Sequence, residues 1–288
     1  MIELSNKKIN FSVSMCVYGK DDPDHFDIAL DSIVDQTFKP SEIVLVVDGP
    51  IPETINSIIT KYKMVCKENK IEFKVYRLKQ NMGHGIARRL SFNKCNHEYI
   101  ALMDADDISV PDRFQRQIEF IELNPRISIV GGNITEFISQ HDGRDTSNKA
   151  GCRIVPETDR AVKEYMKKRC PMNQMTVMFN RTAVSSVGGY KDWYCDEDYY
   201  LWIRLALAGY TFANIQESLV DVRVGEEMYQ RRGGFKYFKS EAKLQKYMLH
   251  HDMIGIGRYF INVGERLILQ VLTPHKVRGW LFKKFART

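Results

Sequence analysis

Apolar and polar positions alternate along the first hundred residues in a repeating order. NFSVSMCVYG predicts a first strand. PDHFDIALDSIVDQTF then carries Phe26, Leu30, Ile33 and Val34 on one helical stripe, with Asp24 expected as its N-cap. EIVLVVDG is a near-continuous apolar run closed by Asp-Gly, the pattern of a strand covered on both faces. ETINSIITKYKMVCKEN places Ile55, Ile58, Ile59, Tyr62, Val65 and Cys66 at helical spacing. EFKVYRL reads as strand, GHGIARRLSFNKC as a short helix opened by glycines, and EYIALMD as strand again. The order β-α-β-α-β-α-β predicts a parallel sheet with helices on both faces.

Past Val110 the pattern loosens. PDRFQRQIEFIEL predicts a helix with Pro111 in its first turn. ISIVGGNITEFIS suggests paired strands around Gly-Gly, and residues 140–152 are poor in apolar groups and suggest a mobile loop. ETDRAVKEYMKKRC reads as helix, QMTVMFN as strand, and DEDYYLWIRLALAG as a helix with acids in its first turn. From KYFKSEAKLQK to LILQVL the pattern is continuously helical. TPHKVRGWLFKKFART mixes Trp280, Leu281 and Phe285 with five cationic side chains, as a basic amphipathic helix at a membrane interface would. Helices packing on the body or between two copies explain the same stretch equally well.

The 288 residues suffice for one large α/β unit with an appendage, and the expected division is 1–225 and 226–288. The opening MIELSNKKIN is polar, so a secretory signal is not expected. No run of 18 uncharged apolar residues occurs, which argues against a spanning helix. The nearest of the six cysteines lie 18 residues apart, so free thiols in a reducing cytoplasm are expected, not a zinc site. Net charge is +6, but from Arg231 onward Lys and Arg far outnumber the three acids. The body is acidic to neutral, and the tail suits a polyanionic surface.

Candidate chemistry concentrates where strands end. Ligands of open α/β sheets bind outside the carboxyl ends of the strands. Asp48 and the cluster Asp104, Asp106 and Asp107 both fall there. Crowded carboxylates repel one another, and a hard divalent cation with phosphate oxygens offsets that cost. Alone, Asp-x-Asp more often marks a solvated turn that caps the next helix near Pro111. NMGHGIARR adds Asn81, Gly83 and Gly85 ahead of a helix bearing Arg88 and Arg89, a setting that favours phosphate.

Six segments in order, VSMCVYG, EIVLVVDG, NMGHGIARR, YIALMDADD, VGGY and CDEDYYLWIRLALAGY, resemble a family 2 glycosyltransferase of the GT-A fold across about residues 11–215. The resemblance implies a Rossmann-like α/β domain with a mostly parallel central sheet, flanking helices and a C-terminal helical extension. It implies a metal-dependent inverting hexosyltransferase. The donor side would comprise Tyr18, Asp48, Asn81, Gly83, Arg88 and Asp104, with Asp48 on the base, usually uracil. Asp104 and Asp106 would hold Mn²⁺ or Mg²⁺. Asp198 of the Glu197-Asp198 pair would be the general base, and Gly188, Gly189, Tyr190 and Trp202 would shape the acceptor side. Acids at a helix N-terminus are stabilised as anions, which weakens them as bases unless their surroundings offset the effect.

The chain has Val47-Asp48-Gly49-Pro50 where many relatives have Asp-Asp-Gly-Ser, and Cys16-Val17-Tyr18 where Pro-Thr-Tyr is frequent. Asn173-Gln174 stands where a His often precedes the MTVMF-like strand. The variant most resembles bacterial enzymes that extend capsule, exopolysaccharide or O-antigen units. The expected partners are therefore a nucleotide sugar, with a UDP-sugar expected, and a polyprenyl diphosphate-linked saccharide. The expected location is the cytoplasmic face of the inner membrane, held peripherally by the basic tail. A nucleotidylyltransferase normally shows a Gly-rich phosphate loop after its first strand, which SMCVYGKDDPD does not provide. A non-catalytic sugar- or nucleotide-binding module is disfavoured by the presence of Asp106 and Asp198. No nucleic-acid module accompanies the basic tail, so nucleic acid is not an expected partner.

Overall fold

The computed structural model of the chain describes residues 9–139, 143–225 and 233–273. Strands β1 (Phe11–Tyr18), β2 (Glu42–Asp48), β3 (Glu72–Arg77) and β4 (Tyr99–Met103) lie parallel in the order β3-β2-β1-β4. They are joined by α1 (Pro23–Val34), α2 (Glu53–Glu68) and α3 (His84–Lys94). β2 is buried at every position, as its unbroken apolar run requires. The N-cap of α1 is Asp22 rather than Asp24: its Oδ1 accepts from the N–H groups of Asp24 (2.9 Å) and His25 (3.0 Å), and Pro23 takes the first helical position.

The second half adds β5 (Ile108–Ser109), α4 (Arg113–Leu123), β6 (Ile129–Phe137), β7 (Lys149–Arg153), α5 (Asp159–Met166), a 3-10 turn (Gln174–Thr176), β8 (Met178–Asn180), α6 (Arg181–Ser186), α7 (Glu197–Leu207) and β9 (Phe212–Arg223). These strands continue the sheet as β4-β8-β6-β9-β5, with β7 paired to β6, and four of the eight strand pairings are antiparallel. The Gly-Gly stretch is one strand, not two. A Cβ at Gly131 would sit 2.6 Å from Asn214 Oδ1, and one at Gly132 2.5 Å from Leu219 Cδ1. Those glycines therefore admit close neighbours instead of forming a turn. The expected 140–152 loop ends in a strand, because Lys149–Arg153 pairs with β6.

The long C-terminal helix expected from the sequence is broken into α8 (Phe235–His250) and α9 (Ile256–Leu267), followed by a π-helical turn (Ile268–Leu272). Asp252 adopts a positive φ of 54°, and the N–H of Met253 donates back to the carbonyl of Met248 (3.0 Å), which closes α8. The basic amphipathic segment 276–288 lies outside the described residues.

Two apolar clusters fill the interior. One lies around Phe11, Phe26, Tyr62 and Phe114. The other centres on Trp202, Phe179 and Tyr190 and includes Leu244 and Met248 of α8, so this helix belongs to the core. Each such aliphatic side chain contributes about 1.5–3 kcal/mol on burial. None of the described helices is long and apolar enough to cross a membrane.

Candidate active site

β1 is flanked by β2 on one side and β4 on the other, so the chain reverses its winding direction at this strand. The crevice beyond its carboxyl end is where such sheets bind ligands. Tyr18 and Asp48 are register partners there, and Asp104 directly follows β4.

Asp48 is buried, and its two oxygens accept from the backbone N–H groups of Met82 (2.7 Å) and Gly83 (3.0 Å). It thereby pins the loop that opens α3 over the strand end, leaving each oxygen a further lone pair. The approach is close: Gly49 has φ +91°, and a Cβ there would lie 2.5 Å from the Asn81 nitrogen. Asn81 itself is exposed. Because Asp48 occupies two of the amides around the start of α3, that helix terminus offers less to a phosphate than the glycines alone suggest.

From α3 a polar chain crosses the crevice. Arg88 is almost fully buried and forms an ion pair through Nη2 with Asp104 Oδ1. Its Nε–H donates to His84 Nε2 (3.0 Å), and His84 Nδ1 lies 2.8 Å from Glu197 Oε1. Since Nε2 accepts, the proton of the imidazole sits on Nδ1 and is donated to Glu197. Gly85 faces α7, where a Cβ would sit in ordinary contact with Glu197 Cβ at 3.6 Å. The strand-end carboxylate Asp104 and Glu197 of α7 are thus joined by one chain of polar side chains. Arg88 Nη1 is buried without a hydrogen-bond partner among the described residues, and the buried Tyr190 hydroxyl lies beside Gln174.

The two acids of the pair are driven apart. Burial pushes Glu197 up, but the hydrogen bond from His84 leads the opposing effects and holds its carboxyl below the ordinary value. Burial, and next the charge of Glu197, push the Asp198 carboxyl up to about 6. Asp198 Oδ1 accepts from the N–H of Tyr199 (2.6 Å), while Oδ2 is 4.0 Å from Cys170 Sγ. A carboxylate with a raised pKa is the stronger base, so the environment offsets the helix dipole at Asp198 and not at Glu197.

The acidic turn after β4 divides its labour. Asp106 is exposed. Asp107 is buried and accepts from the N–H of Arg223 (3.0 Å), which ties the turn to the end of β9. Burial first, then the charges of Asp106 and Asp104, push the Asp107 carboxyl well up. Asp21, which the sequence reading did not single out, faces the same charges: burial, and then Asp106 and Asp104 among its neighbours, raise it to about 7. Its Oδ2 accepts from the N–H of Tyr18 (2.9 Å). No group of three or more His, Cys, Asp or Glu side chains among the described residues is arranged to hold a metal. The hard oxygen donors and the crowding of negative charge nevertheless suit a cation bound by one or two carboxylates and completed by phosphate oxygens.

Of the expected acceptor-side residues, only Tyr190 comes close to this network, near Arg88 and Glu197. Gly188 (φ +79°) and Gly189 (φ +63°) close α6, and Arg204 donates to the carbonyls of Val187 (2.6 Å) and Gly189 (2.7 Å). Trp202 is fully buried, with its ring 6.4 Å from that of Phe179. Asn173 is also buried and donates to the Gly132 carbonyl (2.9 Å). All six cysteines are free.

The family profile described as "Glycosyl transferase family 2" matches residues 12–187. That span holds Asp48, Arg88, Asp104 and Asp106 and stops short of Glu197 and Asp198. The chain is 33% identical over 284 residues to the UDP-Gal:alpha-D-GlcNAc-diphosphoundecaprenol beta-1,3-galactosyltransferase of Escherichia coli, covering 99% of both chains. It is 31% identical over 274 residues to the amylovoran biosynthesis glycosyltransferase AmsE of Erwinia amylovora, covering 95% of this chain and 98% of that one. Among solved structures it resembles the mannosyltransferase PcManGT from Pyrobaculum calidifontis in complex with GDP-Man and Mn²⁺, with a TM-score of 0.60, 13% identity, and coverage of 98% of this chain and 80% of that one.

Proposed function

The chain belongs to glycosyl transferase family 2 and has the GT-A fold, and from that premise we propose that it transfers a sugar, with inversion, from a nucleotide-diphosphate sugar to a hydroxyl of a polyprenyl diphosphate-linked saccharide during bacterial surface polysaccharide biosynthesis. The observation that carries this reading is the chain Glu197–His84–Arg88–Asp104, which joins the α7 acids to the strand-end carboxylate. The substrate classes come from the relatives: one is named for a UDP-sugar donor and a diphosphoundecaprenol acceptor, the other for amylovoran biosynthesis.

In this scheme Asp198 removes the proton from the acceptor hydroxyl as that oxygen attacks the anomeric carbon. Attack comes from the face opposite the leaving diphosphate. His84 holds Glu197 as an anion beside Asp198, and the Glu197 charge keeps Asp198 basic. Tyr18, Asp48 and the 81–83 loop line the nucleoside side, and Arg88 neutralises negative charge deep in the cleft. A Mn²⁺ or Mg²⁺ ion held by Asp106 and Asp104 would supply further neutralisation of the departing diphosphate. The enzyme would work at the cytoplasmic membrane face, where its acceptor lies. Incubating the purified chain with UDP-Gal, UDP-Glc, UDP-GlcNAc or GDP-Man and a polyprenyl diphosphate-linked GlcNAc tests this. Product from none of them would count against the proposed substrates.

A further inference from the structure

We propose that the outward face of α9 and of the π-helical turn after it seats in the surface of an anionic lipid bilayer, which deepens the reading of a lipid-linked acceptor and rests on it for its purpose. A surface helix of a globular protein normally turns its apolar stripe inward. This one does the opposite. Its buried side chains are Asn262 and Arg266, continued four residues on by Gln270, and each is less than one-tenth exposed.

Several hydrogen bonds hold that polar stripe to the body. Asn262 Nδ2 donates to the Lys167 carbonyl (2.8 Å) and to Gln245 Oε1 (2.7 Å). Arg266 Nη2 donates to the Lys168 carbonyl (2.7 Å), and its Nε lies 2.9 Å from Glu241 Oε2. Lys167 and Lys168 follow α5, where carbonyls lack helical partners. Directional hydrogen bonds therefore fix the rotation of α9 about its axis and hold its apolar side outward.

Ile256, Phe260, Ile261, Ile268 and Leu272 are each more than half exposed on the opposite side. The N–H of Gly234 donates to the Gln270 carbonyl (2.9 Å) and brings exposed Phe235 beside the turn. Exposed Lys236 and Lys239 adjoin it, with Lys239 Nζ 4.7 Å from the Phe235 ring centre. In sequence, Lys276, Arg278, Lys283, Lys284 and Arg287 follow. An apolar helix face with a cationic margin matches the boundary between acyl chains and anionic headgroups. A second copy of the chain, apposed on the same face, would bring like charges together instead. The Ser240 hydroxyl of α8 donates to the Tyr194 carbonyl (2.6 Å), so the helix pair braces the loop that leads into Glu197.

The experiment is flotation of the full chain with vesicles of phosphatidylglycerol and phosphatidylethanolamine, against vesicles of phosphatidylcholine alone, at low and high salt. The wild type should float with the anionic vesicles. Phe260→Ser with Ile268→Ser should lower the affinity about tenfold or more per side chain, with Tm unchanged. Lys236→Glu with Lys239→Glu should remove much of the salt dependence. Absence of wild-type binding, or binding unaltered in the double serine variant, would overturn the proposal. So would loss of binding only on removal of residues 276–288, or a wild-type dimer that the serine variant converts to monomer. Vesicle binding needs no sugar, and transfer to a water-soluble acceptor is measured separately, so failure here leaves the enzymatic reading to its own test.

Discussion

Arg88 donates its Nε–H to His84 Nε2 at 3.0 Å, one turn away on the same helix. The bond sets the imidazole's only proton on the side facing Glu197 and links the two acidic clusters through two side chains, His84 and Arg88. In the proposed scheme His84 acts through Arg88 and Glu197, the two neighbours it bonds.

Replacing His84 should therefore misplace Glu197 and Arg88 together. His84→Ala should lower kcat about a hundredfold with a smaller change in acceptor KM. His84→Gln can accept from Arg88 and donate to Glu197, so it should recover a substantial part of the loss. Equal damage in both variants would reduce His84 to a packing residue.

Asp198→Asn should lower kcat by roughly a thousandfold, within the usual range for a general base, while nucleoside diphosphate binding measured by calorimetry stays within about twofold. The wild-type kcat/KM should fall as pH drops through about 6, because the base is protonated there. The variant should lack that limb. The carboxyl is also raised from 3.8 in the folded chain. Its ionisation across that window disfavours the folded state, and stability falls as pH rises through it. The asparagine variant should consequently show a Tm at pH 7.5 no lower than wild type.

Removing divalent cations with EDTA should weaken nucleoside diphosphate binding and stop transfer, and added Mn²⁺ or Mg²⁺ should restore both. Asp106→Ala should bind the nucleotide no better with Mn²⁺ than without it. Transfer that persists in EDTA would assign charge neutralisation to Arg88 alone.

Trp202→Ala should cost about 3–5 kcal/mol of stability, as large-to-small changes in a filled core do. Any folded fraction should keep the wild-type acceptor KM. An unchanged Tm with a raised acceptor KM would instead put the indole on the substrate.

Much of this was readable from the chain. The β-α alternation alone sets Asp48, Asp104 and Asp106 at one edge of a sheet. His84 was missed although it lies within NMGHGIARR, where the glycines and arginines drew attention. Its spacing of four from Arg88 was the available signal. Asp21 could not be found in this way, because its neighbours Asp104 and Asp106 reach it only through tertiary contact. Trp202 was read both as inward-facing and as an acceptor contact, and helical period favoured the first. Period marks the stretch that holds α9 as helical, but it cannot say which side meets the body. That outcome depends on backbone carbonyls at the end of α5, more than eighty residues earlier.

The sheet ends at Arg223, which makes the preceding residues look self-sufficient. They are not, because Leu244 and Met248 fill the cluster around Trp202, and Tyr247 stands edge-on to Tyr200 at 5.0 Å. A shortened version stopping at Gly225 would wet the hydrophobic backing of the very helix that presents Glu197 and Asp198. It would precipitate on expression, and anyone seeking a minimal catalyst must retain at least the first of the two C-terminal helices.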